Sequence, residues 1–183
     1  PLGSYAMLAL GAIIAGLVVG PLIERGLLRF MYGKDEILLL IVTFALFLIL
    51  EDVIKLIWGV DPYFISEPYG LLGSIEFAGL IYPAYNLILI GVSLLTGVGL
   101  FWVLQHTRQG RLLLAVIHDR EVSLAMGIKV NRFYMITFTA GAMLAAIGGA
   151  FTAPTVSVVP GMGVEVIVLA FAVVVIGGLG SLQ

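Results

Sequence analysis

No cysteine occurs among the 183 residues, which excludes disulfides, thiolate metal sites and cysteine nucleophiles. Charge is nearly as scarce. Charged residues make up 11% of the chain, against about a quarter in an ordinary soluble domain, too few for a water-exposed surface of normal size. The net charge is -2 and no basic cluster is dense enough to hold a phosphate backbone, so nucleic acid is not an expected partner. Histidine is limited to His106 and His118. Neither has a carboxylate–serine arrangement or a second ligand at metal spacing, so both read as solvated or interface residues. A phosphate-binding Gly-x-x-x-x-Gly-Lys stretch is missing too, because the glycines at 177–180 run into Ser181-Leu182-Gln183 without a lysine. No nucleotide-phosphate site of that type is therefore read in this chain, and no cofactor or metal is expected here. No basic leader precedes the first apolar run. Pro1–Ser4 reads as native sequence or as the remnant of a cleavage linker, and the stop inside 177–183 leads us to expect a fragment.

What remains is apolar. Hydrophobic residues reach 61% and mean hydropathy is +1.17, in runs of about 20 residues, the length that crosses a bilayer. The spacing predicts an all-α, polytopic transmembrane helix bundle of about five spans, at 5–23, 37–58, 84–105, 133–151 and 164–181. The polar links alternate in charge. Residues 24–36 carry Arg25, Arg29 and Lys34, and residues 106–132 carry Arg108, Arg111, Arg120, Lys129 and Arg132; the links 59–83 and 152–163 carry no Lys or Arg. Because cytoplasmic loops hold the excess of Lys and Arg, 24–36 and 106–132 are expected inside, and 59–83 and 152–163 outside. The 59–83 loop, with Pro62, Pro68 and several glycines, reads as irregular, with Tyr63, Phe64 and Tyr69 at the membrane interface.

Small residues recur at helical spacing. Ala12, Gly16 and Gly20 form one stripe; Gly141, Ala145 and Gly149 form another, with Ala142, Ala146 and Ala150 beside it. Lipid provides no hydrophobic drive for helix association, so small residues let backbones approach and gain dispersion contacts. Ordinary packing explains such stripes more simply than a substrate-lining surface. Polar groups near span ends are few. Glu51 and Lys55 stand i, i+4 and can pair along a helix, with Asp52 beside them. Glu165 sits at the start of the last span, either as a carboxylate favoured by the helix dipole or as a contact on the substrate path, and Asn86 has the same two readings. Gly177–Gly180 suggests a break in that last helix.

The longest polar stretch, 106–132, fits two short helices. Gly110–Ile117 would be the first. Asp119 is placed to cap the second, Gly127 to end it, and Asn131 to cap the following span. Leu113, Ile117 and Leu124 are available for an apolar contact. A connecting helix lying flat in the lipid interface is the plainer alternative.

The residues Gly110-Arg111-x-x-x-Ala115-Val116-x-x-Asp119-Arg120-Glu121-x-x-x-Ala125-Met126-Gly127-Ile128 resemble the cytoplasmic coupling loop of bacterial ABC-importer permeases for branched-chain amino acids, the LivH type. Glu24-Arg25-x-x-x-Arg29-x-x-Tyr32-Gly33, Leu39–Trp58 with Gly59, Ala140–Gly149 and Ala170–Ser181 are similar to other stretches of that family in the same order, so the resemblance covers nearly the whole chain. It implies a single transmembrane permease domain over 1–183 in a bacterial or archaeal plasma membrane. It further implies a second permease subunit, cytoplasmic ATPase subunits and an external solute-binding protein as partners, besides membrane lipid. Gly110, Arg111, Ala115, Asp119, Glu121 and Gly127 would dock the ATPase, with Asn86 and Glu165 on the substrate path. The expected solutes are branched-chain or other small hydrophobic amino acids; urea, short amides or another small solute are the alternative within the family. A carrier or channel not driven by ATP is the alternative outside it. An intramembrane enzyme is disfavoured, because no His or Cys falls in any span.

Overall fold

The computed structural model describes residues 2–64, 73–77, 80–156 and 158–177. Two compact units divide the chain, one of residues 1–32 and 66–155, the other of 33–65 and 156–183. The first holds helix α1 (Leu2–Gly26), a 3-10 turn at Leu28–Phe30, a two-stranded hairpin, helices α3 (Ala84–His106), α4 (Arg108–His118), α5 (Arg120–Ala125) and α6 (Val130–Thr152). The second holds α2 (Glu36–Trp58) and α7 (Met162–Gly177).

Three helices among the described residues are long and apolar enough to cross a membrane: Ala6–Phe30, Ala84–His106 and Val130–Thr152. A helix of 23 residues is about 34 Å long at 1.5 Å per residue, enough for a hydrocarbon core of about 30 Å. Helix α2 has the same length, but Glu51, Asp52 and Lys55 crowd its last turns. The solvent must be lipid. Fully buried hydrophobic residues among those described are few and mostly small (Ala12, Leu28, Ala84, Tyr85, Val116 and Val130), while large ones such as Ile14, Leu22, Leu94 and Phe101 stay exposed. A core that slight cannot offset chain entropy in water. In a bilayer the helices satisfy their own backbones and the apolar exteriors meet lipid. The chain is a helical membrane bundle.

Helices α1 and α6 pack antiparallel along their length. A Cβ added at Gly16 would stand 2.5 Å from Met143 Cα, and one at Gly20 would stand 3.0 Å from Thr139 Cα, so both glycines are there for backbone approach. Among the described residues of α1 the buried positions are Ala12, Gly16, Gly20 and Glu24, one residue in four. On α6 the facing residues are Thr139, Ala142 and Met143, continuing to Ala146 and Ala150 beside Gly11, Ala12 and Ala15. The neighbouring stripe is turned away: Ala145 is exposed and nothing lies within 4 Å of a Cβ at Gly141 or Gly149. The Gly141–Ala145–Gly149 face of α6 therefore meets no other described helix. Two adjacent small-residue stripes look alike in sequence, and only the partner's position chooses between them.

The 59–83 segment departs from an irregular loop. Strands β1 (Ser74–Phe77) and β2 (Leu80–Pro83) pair antiparallel, with Ile75 opposite Tyr82 and Glu76 opposite Ile81. β-branched and aromatic residues suit such pairing, and the prolines that argued for irregularity stand before it or at its last position. The Ala84 N–H donates to Gly73 O at 3.1 Å, which ties the hairpin base to the start of α3. Tyr69 lies outside the described residues. Within the second unit, Gly59 ends α2 at φ +88, and Tyr63 and Val158 exchange backbone hydrogen bonds of 3.0 Å. Glu51 and Lys55 form the expected pair at 2.6 Å, with Asp52 at 3.9 Å from the same ammonium. Helix α7 starts at Met162, two residues earlier than the spacing predicts; the glycines from Gly178 onward lie outside the described residues.

Candidate functional site

The segment between α3 and α6 is built as a capped two-helix knob. Thr107 opens it. Its Oγ1 accepts from the Gly110 N–H at 3.0 Å and donates to Val103 O at 2.6 Å, so one hydroxyl closes α3 and caps α4. Gly110 is buried against α3. A Cβ there would fall 2.6 Å from Leu104 Cα and against the carbonyl oxygens of Val103 and Leu104. Only glycine lets α4 fold back this tightly. Val116 is the buried residue on the inward face of α4.

Asp119 caps α5 as its sequence position predicts, accepting from the Val122 N–H at 2.9 Å. Ser123, buried between the short helices, donates to Asp119 O at 2.7 Å and reaches Ala115 O at 3.3 Å, fastening α5 to the end of α4. Gly127 ends α5 at φ +80. Its N–H bonds to Leu124 O, and the Ile128 N–H bonds to Ser123 O, both at 3.0 Å, the paired arrangement of a left-handed glycine stop. The chain turns at once into α6, with Val130 buried and its N–H on Ile128 O at 2.9 Å. That tight turn leaves Asn131 inside the first turn of α6. Lys129 takes the cap position and makes no side-chain cap bond.

Of the residues expected to couple, Arg111, Ala115, Asp119, Glu121 and Gly127 are exposed and Gly110 is buried. Beside the exposed set stand large apolar side chains that the knob leaves uncovered: Ile117, Val122 and Leu124 are about half exposed and Met126 three-quarters exposed. Leu113 is partly covered. His106 and His118 are both exposed, His106 stacking on Trp102 one turn earlier.

At the same end of the first unit lies a group of which the sequence offers Glu24 and Tyr32 only as part of a family-like stretch. Glu24 continues the Ala12–Gly16–Gly20 stripe and is only 2% exposed. The Tyr32 hydroxyl is hydrogen-bonded to it, and Tyr32 packs on Tyr134 with ring centroids 4.5 Å apart. Burial first, then the Glu24 charge and hydrogen bond and the neighbouring Tyr134, push the Tyr32 phenol from 10.0 up to about 12. A stripe of period four that ends in a carboxylate was the available signal.

A groove of about 470 Å³ separates α3 from α6, with Ser93, Thr96 and Gly97 on one wall and Leu144, Ile147 and Gly148 on the other. At its far end the buried Tyr85 donates its hydroxyl to Phe151 O at 2.6 Å. Asn86 sits exposed in the first turn of α3, away from the groove lining, and Glu165 is exposed in the first turn of α7 in the second unit.

This is a membrane bundle with one capped, partly apolar knob between its helices, and comparison with known proteins gives it a family. Residues 2–183 match the family described as "Branched-chain amino acid transport system / permease component", and the chain belongs to it. It is 27% identical over 191 residues to the high-affinity branched-chain amino acid transport system permease protein BraD of Pseudomonas aeruginosa, covering 99% of this chain and 62% of that protein. The LivH proteins of the same description from Salmonella typhimurium and Escherichia coli K12 are 25% and 27% identical, each covering 94% of this chain and 58% and 57% of the relative. The chain thus spans about three fifths of the length of these relatives. No solved structure matches.

Proposed function

We propose that this chain is the membrane-spanning permease part of an ATP-driven importer for branched-chain or other small hydrophobic amino acids, coupled to separate ATPase subunits through residues 106–132. The observation that carries this reading is the knob. It is fixed internally by the Thr107 and Asp119 caps and by Ser123, yet it leaves Ile117, Val122, Leu124 and Met126 uncovered. A rigid surface with an apolar centre and charged neighbours such as Arg111 and Glu121 has the composition of a docking site. Helix α4 is amphipathic, as a helix resting in the lipid interface would be. But Gly110 and Val116 on it are buried, and most of the large apolar side chains left open lie on α5 and just after it.

The first unit also supports the orientation read from charge. Helices α1 and α3 each run antiparallel to α6, so the basic 24–32 and 106–132 segments meet at one end, as the Tyr32–Tyr134 contact requires. Two parallel spans need an odd number of crossings between them. Helix α2 is the described element of that length, and the reading is of a multi-pass protein of the plasma membrane. Closure of an ATPase pair against the knob would bias an inward-open against an outward-open bundle. A second permease subunit and an external binding protein complete the assembly, and the solute class follows the names of the relatives.

The test is recruitment. Full-length permease purified from membranes should retain its cognate ATPase. Glu121→Arg combined with Leu124→Asp, both exposed and outside the knob's internal bonds, should cut retention at least tenfold with the fold intact. Wild-type protein that recruits no ATPase would sink the proposal.

A further inference from the structure

We propose that Tyr85 is a positioning residue for transport: its bond to Phe151 is the fulcrum about which α3 and α6 part and close as the knob is moved. The inference rests on the ATP-driven reading above.

Helices α3, α4 and α5 make one body. Gly110 seats α4 against the carbonyls of Val103 and Leu104, and Ser123 bonds α5 to Ala115 O and Asp119 O. Helices α1 and α6 make the other, joined through Gly16 on Met143 and Gly20 on Thr139 and, at the knob end, through Glu24, Tyr32 and Tyr134. Between α3 and α6 lies the groove. At the knob end these two bodies are linked covalently by Gly127-Ile128-Lys129, with Gly127 at φ +80. At the opposite end the Tyr85 hydroxyl holds Phe151 O at 2.6 Å.

Phe151 lies in the last turn of α6, where carbonyls have no partner within the helix. Tyr85 is fully buried, and breaking the bond would take a partner from its hydroxyl and from that carbonyl away from water, so the bond persists while the helices swing. Helix α3 then acts as an arm about 34 Å long with its pivot at Tyr85. A push on the knob is converted into a change in groove width, and Ser93, Thr96 and Gly148 on the walls are carried with it.

These 183 residues hold no cysteine, so a thiol pair placed among them has no competitor within them. Nothing lies within 4 Å of a Cβ at Gly97 or Gly148, so Gly97→Cys with Gly148→Cys places a thiol on each wall without a clash. Full-length permease, assembled with its ATPase in vesicles, is treated with a short bifunctional thiol reagent in nucleotide-free and ATP-trapped states. Cross-link yield should differ at least threefold between the states. Tyr85→Phe, which keeps the ring and removes only the hydroxyl, should abolish that difference and lower solute moved per ATP hydrolysed at least threefold while ATPase recruitment stays normal. Equal yields in both states overturn the hinge, as does a Tyr85→Phe protein with unchanged state dependence and coupling. If that variant does not fold, a second pair at the Tyr85 end of the groove, Leu89→Cys with Thr152→Cys, decides: a fulcrum there keeps its yield the same in both states, and a yield that changes as much as that of the 97/148 pair overturns it. Failure to recruit any ATPase is a different result, and it overturns the functional reading itself.

Discussion

A methyl group at Gly110 would meet Leu104 Cα at 2.6 Å, and backbone cannot step aside as a side chain does. Gly110→Ala should therefore unseat α4 whether or not an ATPase is present. Limited proteolysis within 106–132 that is no faster in the variant would contradict this. The consequence for the site is specific: a docking defect in a Gly110 variant says nothing of contact, whereas Arg111, Glu121 and Met126 are open enough to report it. Asp119→Ala removes one capping acceptor and should cost about 1 kcal/mol, seen as faster amide exchange at Val122. Tyr32 carries the pH prediction. Its phenol titrates near 12 in the folded protein against 10.0 for the free group, so the folded state holds the proton more tightly. The resulting stability is complete below pH 10.0 and is lost as pH climbs toward 12. Glu24→Gln should bring the titration down toward 10.0 but leave it raised, because burial is the largest cause. Tyrosinate absorbance, with Tyr32→Phe as reference, reads both.

Elements show where local signals suffice. Asp119 and Gly127 were legible as the limits of α5 because a cap and a left-handed stop are chemistry of adjacent residues. Asn131 was not, since the turn after Gly127 closes faster than spacing implies and α6 begins at Val130. Thr107 stood one residue before α4 and carried an ordinary capping signal that went unread. Ser123 was different in kind, because its second acceptor, Ala115 O, belongs to the preceding helix. Gly127→Ala tests the element directly. At φ +80 an L side chain costs about 1–2 kcal/mol, which should loosen the turn joining α5 to α6 without unfolding α4. Exchange that rises at Ile128 while the amides of α4 hold steady would match this; exchange rising through α4 as well would refute it.

Across the molecule, the two glycine stripes make opposite predictions. Gly16→Leu drives a side chain into Met143 Cα and should abolish recovery of folded monodisperse protein from detergent. Gly141→Ala meets nothing within 4 Å and removes the helix-interior cost of glycine, about 0.5–1 kcal/mol, so it should raise the thermal midpoint of the isolated chain by about 1–4 °C. A large loss from Gly141→Ala in the isolated chain would mean that the wrong face of α6 is packed.

Composition and periodicity determined the class of this protein. Long apolar runs with almost no charge have one stable solvent, and the bias of Lys and Arg sets the expected sides of the links. The residues of the 106–132 segment carried the family resemblance, since caps and stops are written in adjacent positions. Tertiary structure alone decided which small-residue stripe of α6 is used, that Glu24 is enclosed with Tyr32, and that Tyr85 reaches Phe151 across 66 positions of sequence. Each of those depends on a partner brought near by folding. Nothing in the neighbouring residues announces it.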